Sequence, residues 1–212
     1  MRRGIEECSY TCGMKLPGQE IVAILVTVSF AAGLNVYATV ATLGLLAHTG
    51  IMDLPPALQM LGDWWVIGVS TALFGLEFIA DKIPGFDLVW NALHTFIRVP
   101  VAALLAWKAT AQMSPWEQLL AAAAGGAIAL AAHGGKTAAR AAVTPSPEPV
   151  SNMALSMGED VVAVFLTWLA TKQPYIAAGI VLVLLVTIAL VLRWVWKALK
   201  SLFRGAETVV EG

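Results

Sequence analysis

From Tyr175 to Leu192 the chain carries no charged residue, and Thr187 is its only other polar side chain. A run of that length leaves few choices. It must be a helix, because lipid offers the backbone no hydrogen-bond partner and a helix satisfies its own N–H and C=O groups. Five further apolar stretches accompany it. They run from Ile21 to Ala47, Trp64 to Ala80, Phe86 to Ala109, Trp116 to His133 (with its helix continuing to Val143), and Val150 to Thr171. The last stretch extends from Tyr175 to Trp196. Alternating strands of the kind that build a membrane β-barrel are missing from the pattern.

Composition agrees. The 212 residues are 58% hydrophobic and 13% charged, with a mean hydropathy of +0.77. A soluble domain is closer to a quarter charged, and a globule of this size cannot hide so much apolar surface. Disorder is excluded by the same numbers. Two cysteines exclude a disulfide scaffold, and a net charge of −1 gives no basic surface for nucleic acid. The expectation is an all-α integral membrane protein of six helices. A short N-terminal segment, residues 1–18, precedes a transmembrane domain at 19–204 and a tail at 205–212.

Charge placement sets the expected orientation. Eleven of the thirteen basic residues fall on one side of a six-span layout: Arg2, Arg3, Lys15, Lys82, Arg98, Lys136, Arg140, Arg193, Lys197, Lys200 and Arg204. Only Lys108 and Lys172 fall on the other. That asymmetry predicts both termini in the cytoplasm, at a bacterial inner (plasma) membrane. Tryptophans near the expected span ends, among them Trp64, Trp65, Trp116, Trp194 and Trp196, read as interfacial anchors. The basic start and first apolar stretch read as a retained span, since the run is too long for a signal peptide. Cys8 and Cys12 are then ordinary reduced thiols.

The helix surfaces differ. The fourth stretch is nearly all small residues from Ala121 to Ala132, which lets backbones approach closely and predicts a central helix. The sixth is bulky and predicts a lipid-facing one. The loop from His48 to Asp63, with Pro55-Pro56, is expected on the membrane surface. Thr144 to Pro149 reads as a stiff proline-rich connection. The third and fifth stretches also align without a gap: Asn91 to Trp107 over Asn152 to Trp168, with five identities. The alignment predicts parallel repeats, helices two–three and four–five, about an axis along the membrane normal. Arg98 and Glu159 take equivalent places in it. An ion pair of Arg98 with Glu159 or Asp160 is therefore expected, serving either function or helix locking.

Polar residues collect in the inner half. Glu77 and Asp81 are one turn apart, and His133, Lys136 and Arg140 form a stripe on one helix. Lys82, Asp87, Asn91, His94, Arg98, Asn152, Ser156, Glu159 and Asp160 join them. Gly134-Gly135 beside Lys136 lacks the spacing of a phosphate loop, and the chain has no metal-binding or Ser–His–Asp pattern. No cofactor is expected. Asn35 sits inside the first stretch, in Gly33-Leu34-Asn35, where the helix either breaks to line a site or stays straight with Asn35 bonded to a neighbour. The candidate ligand-binding or coupling residues are Asn35, Glu77, Asp81, Lys82, Asn91, Arg98, His133, Lys136, Arg140, Asn152, Glu159 and Asp160.

These same stretches carry a resemblance. GLNVYATVATLGLLAHTG from Gly33, EFIADKIPGFD from Glu77, HGGKTAAR from His133 and SNMALSMGED from Ser151 resemble a family of six-span bacterial membrane proteins, with plant relatives, known as a domain of unknown function. The resemblance spans roughly Gly33 to Thr171. It implies an integral membrane protein and brings no activity or substrate with it. The residues themselves point to a small transporter or channel-like protein, a homodimer in the bilayer, for a polar solute, anions among the expected classes, in a cytoplasm-facing pocket. The alternatives are an enzyme acting on lipid phosphates through His133 and a scaffold whose polar core only fixes packing.

Overall fold

The computed structural model describes residues 18–80, 86–143 and 149–210. Every long element among them is an α-helix: α1 (Gly18–Leu34), α2 (Val36–His48), α3 (Trp64–Ala80), α4 (Phe86–Ala109), α5 (Pro115–Val143), α6 (Pro149–Lys172) and α7 (Pro174–Val210). Five of the six apolar stretches become single helices, with ends close to those expected except at the C-terminus of α7. The first becomes two, because the helix stops at Leu34 and restarts at Val36. Three helices are long and apolar enough to cross a membrane, over Pro115–Ala139, Met153–Lys172 and Pro174–Lys197. A short 3-10 helix at Pro56–Gly62 together with α3, bent by 65°, makes a fourth. The described residues form an all-α protein with helices long and apolar enough to span a membrane.

Packing follows residue size. Gly125 lies against α4 so closely that an added Cβ would meet the Ala106 Cβ at 2.9 Å and the Ala102 carbonyl oxygen at 3.2 Å. Gly33 of α1 has the same relation to α5, where a Cβ would run into the Ala129 carbonyl oxygen and meet the Ala129 Cα and Ala132 Cβ at 2.8 Å. Small residues therefore draw α5 onto α4 and α1, as expected. α5 does meet several helices, α1, α4, α6 and α7, but α1 is the more deeply buried of the two. Thr27 to Asn35 is buried without interruption, and α1 packs on α4, α5, α6 and α7. Leu119, Leu120 and Leu130 of α5 remain exposed. The difference has a simple origin: a helix with alanine on every face can pack on any of them, but bulky residues interspersed at one face direct that face to lipid.

α7 presents the expected lipid face, with Leu182, Val183, Val186 and Leu190 exposed and, among its described side chains, only Ala177 and Val181 fully buried. It also runs 14 residues past the end of its apolar run at Trp196, ending at Val210. At 1.5 Å per residue its 37 residues measure about 55 Å, well beyond a hydrocarbon core of roughly 30 Å. Leu54, Leu58 and Leu61 of the first long loop are buried against Val28, Leu43 and Leu105. That loop is thus a plug on one end of the bundle rather than a surface-lying segment.

α5 starts with a reciprocal cap. The Ser114 hydroxyl and backbone N–H donate to Glu117 Oε2 at 2.7 and 2.9 Å, and the Glu117 N–H donates back to Ser114 Oγ at 3.4 Å. This is a capping box written as S-P-W-E in the sequence. Ser114→Ala should cost about 1 kcal/mol and lower the melting midpoint in detergent; an unchanged midpoint would show that α5 is set by its packing alone.

Candidate functional site

The site begins with the break between α1 and α2. Asn35 adopts an extended conformation, φ −149° and ψ 103°, and its side-chain Oδ1 accepts from the Ala38 N–H at 2.9 Å. Asparagine suits this place because its short side chain substitutes for the missing turn. Its own amide Nδ2 donates to Asp160 Oδ1 of α6 at 2.8 Å. One residue therefore caps α2 and ties the break to α6. Asn35 is completely buried.

The other broken end is met by a cation. Lys136 of α5 donates from Nζ to the Leu34 carbonyl oxygen at 3.3 Å, at the C-terminus of α1. A positive charge is favourable there, and a negative one at the start of α2 is favourable too. Asp160 supplies the second. Lys136 also pairs with Glu159 Oε2 at 2.9 Å. The close approach of Gly33 to Ala129 is what brings α5 near enough for Lys136, two turns further along, to reach Leu34.

A second polar group lies beside the first. Arg98 of α4 is fully buried and pairs with Glu77 of α3, itself 1% exposed. Its Nη1 lies 2.9 Å from His133 Nδ1. A guanidinium can only donate, so Nδ1 carries a lone pair and His133 is the neutral tautomer with its proton on Nε2. That proton points to Thr95 Oγ1 at 2.7 Å. Tyr37 of α2 bonds His94 Nε2 at 3.2 Å, with the two rings edge to face. Glu77 Oε2 and Arg98 Nε are buried and lack a partner; they belong to the same ion pair.

These contacts correct the expected pairing. Arg98 bonds Glu77 and not Glu159 or Asp160. Each ion pair instead joins two helices consecutive in the chain, α3 with α4 and α5 with α6, with the order of charge reversed. The gapless alignment relates positions on α4 and α6 but places neither on a shared face, so equivalence in sequence does not make contact.

Of the twelve candidate residues, seven converge on these two groups: Asn35, Glu77, Arg98, His133, Lys136, Glu159 and Asp160. Asp81 and Lys82 lie outside the described residues, as do the side chains of Asp87, Asn91, Arg140 and Asn152. Ser156 is buried. Thr95 is the participant that sequence reading missed; its signal is its place three residues before Arg98, one turn away on the same face. Gly134 faces open space, and Gly135 lies against Ile188 of α7, so the Gly-Gly pair is a packing contact rather than a phosphate cradle. Among the described residues no group of three His, Cys, Asp or Glu is placed to hold a metal ion.

No curated protein matches the chain, and no solved structure does. A model of the domain of unknown function DUF4126 matches residues 22–194, from α1 through the apolar part of α7, and the chain belongs to that family.

Proposed function

We propose that this protein is a small multi-pass transporter or channel-like protein that passes a small polar solute through the polar centre at the α1–α2 break. One observation carries this reading: both ends of a broken apolar helix meet buried charged side chains, Leu34 O with Lys136 and the start of α2 with Asp160. Broken helices with exposed dipole ends are how transporters hold solutes at mid-membrane, and charges within spans are expensive enough to be functional by default. In this reading α1 and α2 form one broken span, giving six, with both termini cytoplasmic at a bacterial inner membrane. The two helix pairs, each with its own ion pair, act as parallel repeats, and two copies form a dimer.

The charge count refines the solute. An anion would need free positive charge, yet Arg98 and Lys136 each face a carboxylate. With both cations of the described centre already paired to carboxylates, we take a proton or small cation rather than an anion as the solute. A phosphate enzyme is less well supported, because His133 is 5% exposed and both ring nitrogens are engaged. The pairing of buried Arg98 with Glu77 favours a second reading, a scaffold whose charges only lock helices.

Reconstituted protein on a supported membrane separates the two. Jumps in pH, sodium, potassium, phosphate or acetate should give a transient current for at least one cation. Lys136→Met with Glu159→Gln should reduce that current about tenfold or more, as removal of a transported-ion contact would, while the protein still elutes as a folded species. Folded wild-type protein that gives no current for any of the five favours the scaffold.

A further inference from the structure

Arg193 follows directly on the uncharged run from Tyr175 to Leu192. As a helix that run measures about 27 Å, close to a hydrocarbon core of roughly 30 Å, so Arg193 comes at the core's edge. The helix does not stop there. It continues unbroken to Val210 and carries Lys197, Lys200 and Arg204. The steps between the four bases are four, three and four residues. At 3.6 residues per turn the four positions fall within about 60° of one another, a single row along α7. Arg193, Lys197 and Lys200 are exposed, and among the described residues no ion pair engages them. From Arg193 to Val210 the sequence has one acid, Glu207.

Membrane orientation does not require a row. Bases set topology by the side on which they lie, wherever they fall around a helix. A row presents its charges to one patch of lipid at successive depths. Arg193 and Lys197 are about 6 Å apart along the axis, which matches a headgroup layer roughly 5–7 Å deep. Lys200 is about 10 Å from Arg193, near the screening length of about 8 Å in physiological salt. Trp194 and Trp196, both exposed, flank the start of the row at the depth where indole rings anchor. The anion abundant at that depth is lipid phosphate. A guanidinium grips it with paired hydrogen bonds, and an ammonium meets it as a point charge.

We propose that the row Arg193–Lys197–Lys200–Arg204 binds the headgroups of anionic phospholipids. The occupant is lipid rather than free phosphate, because the apolar run and the two tryptophans fix the row at the bilayer surface. Such binding needs only that α7 crosses the membrane. It goes beyond the transport reading and stands whether or not any solute crosses.

The test is quenching of tryptophan fluorescence in the full-length protein, reconstituted in phosphatidylcholine, by lipids brominated on their acyl chains. Brominated phosphatidylglycerol should quench more than brominated phosphatidylcholine at equal mole fraction, and the excess should saturate. Trp194→Phe with Trp196→Phe should remove the excess, which locates it beside the row. Lys197→Gln with Lys200→Gln should raise the mole fraction for half-saturation roughly tenfold or more, at about fivefold for each base. A turned variant, Lys197→Ala with Ala198→Lys and Lys200→Ser with Ser201→Lys, keeps the net charge and moves two bases off the row; half-saturation should again rise severalfold. Inorganic phosphate should displace the lipid no better than sodium chloride of equal ionic strength. No excess quenching, an excess that survives loss of both tryptophans, wild-type half-saturation in the turned variant, or displacement by phosphate beyond that by chloride would each overturn the proposal. None of these outcomes depends on the currents described above, since no ion gradient is applied.

Discussion

Glu77→Ala is expected to destabilise this protein by about 3–5 kcal/mol. The change strips the partner from Arg98, a guanidinium with no exposed surface. Arginine cannot shed its charge to escape, and its complete burial keeps it from solvent that could replace the carboxylate. The damage spreads further, because Arg98 also orients His133, which in turn bonds Thr95. Glu77→Gln should cost less, since an amide oxygen still accepts a hydrogen bond. The double variant Glu77→Met with Arg98→Met should be far more stable than the single truncations predict, because two apolar side chains of similar volume replace a desolvated pair. Melting midpoints of the four proteins in one detergent check the order. If Glu77→Ala melted with the wild type, the pair would be contributing nothing to the fold. If the double variant were as stable as the wild type but lost the cation current, the pair would be serving function at no gain in stability.

The fold was largely legible and the site only partly. Helices α3 to α7 could be placed because long apolar runs and the proline-rich connection ending at Pro149 are local signals. Asn35 was visible as an anomaly, and its capping role follows from its own chemistry. The deeper burial of α1 than of α5 was not legible. It depends on which of several small-residue faces meets which, a matter settled by three-dimensional packing. The same limit explains Arg98. A buried arginine demands a carboxylate, and the sequence offers Glu77, Asp81, Glu159 and Asp160 at similar depth. Choosing among them needs the rotation of α3 about its axis, which an apolar helix with little polar contrast does not reveal. Lys136 reaching the Leu34 carbonyl was hidden for another reason: backbone acceptors leave no trace in a sequence.

The glycines give a second large effect with a built-in control. Gly33→Ala places a methyl group against the Ala129 carbonyl oxygen, with the Ala129 Cα and Ala132 Cβ at 2.8 Å. Two of these three atoms are backbone, so no side chain can rotate away, and α1 and α5 must separate. Overpacking of this kind typically costs about 1–3 kcal/mol, and here both helices must move. Gly44→Ala meets the Leu61 carbonyl oxygen and the Ile67 Cγ1 at 2.8 Å, at the plug rather than the break. Gly134 and Gly158 lie inside helices and face open space. Alanine at either should be neutral or stabilise by about 0.5–1 kcal/mol. Melting midpoints should therefore fall for Gly33→Ala and Gly44→Ala and hold or rise for Gly134→Ala and Gly158→Ala. Function should divide the two damaging variants. Separation of α1 from α5 draws the Leu34 carbonyl away from Lys136, whose contact with it is already long at 3.3 Å, so Gly33→Ala should lose the cation current. Gly44→Ala leaves that contact in place and should keep the current at temperatures where it is folded. Equal loss of current in both, at equal stability, would separate the break from conduction and leave the polar centre as a device for holding helices together.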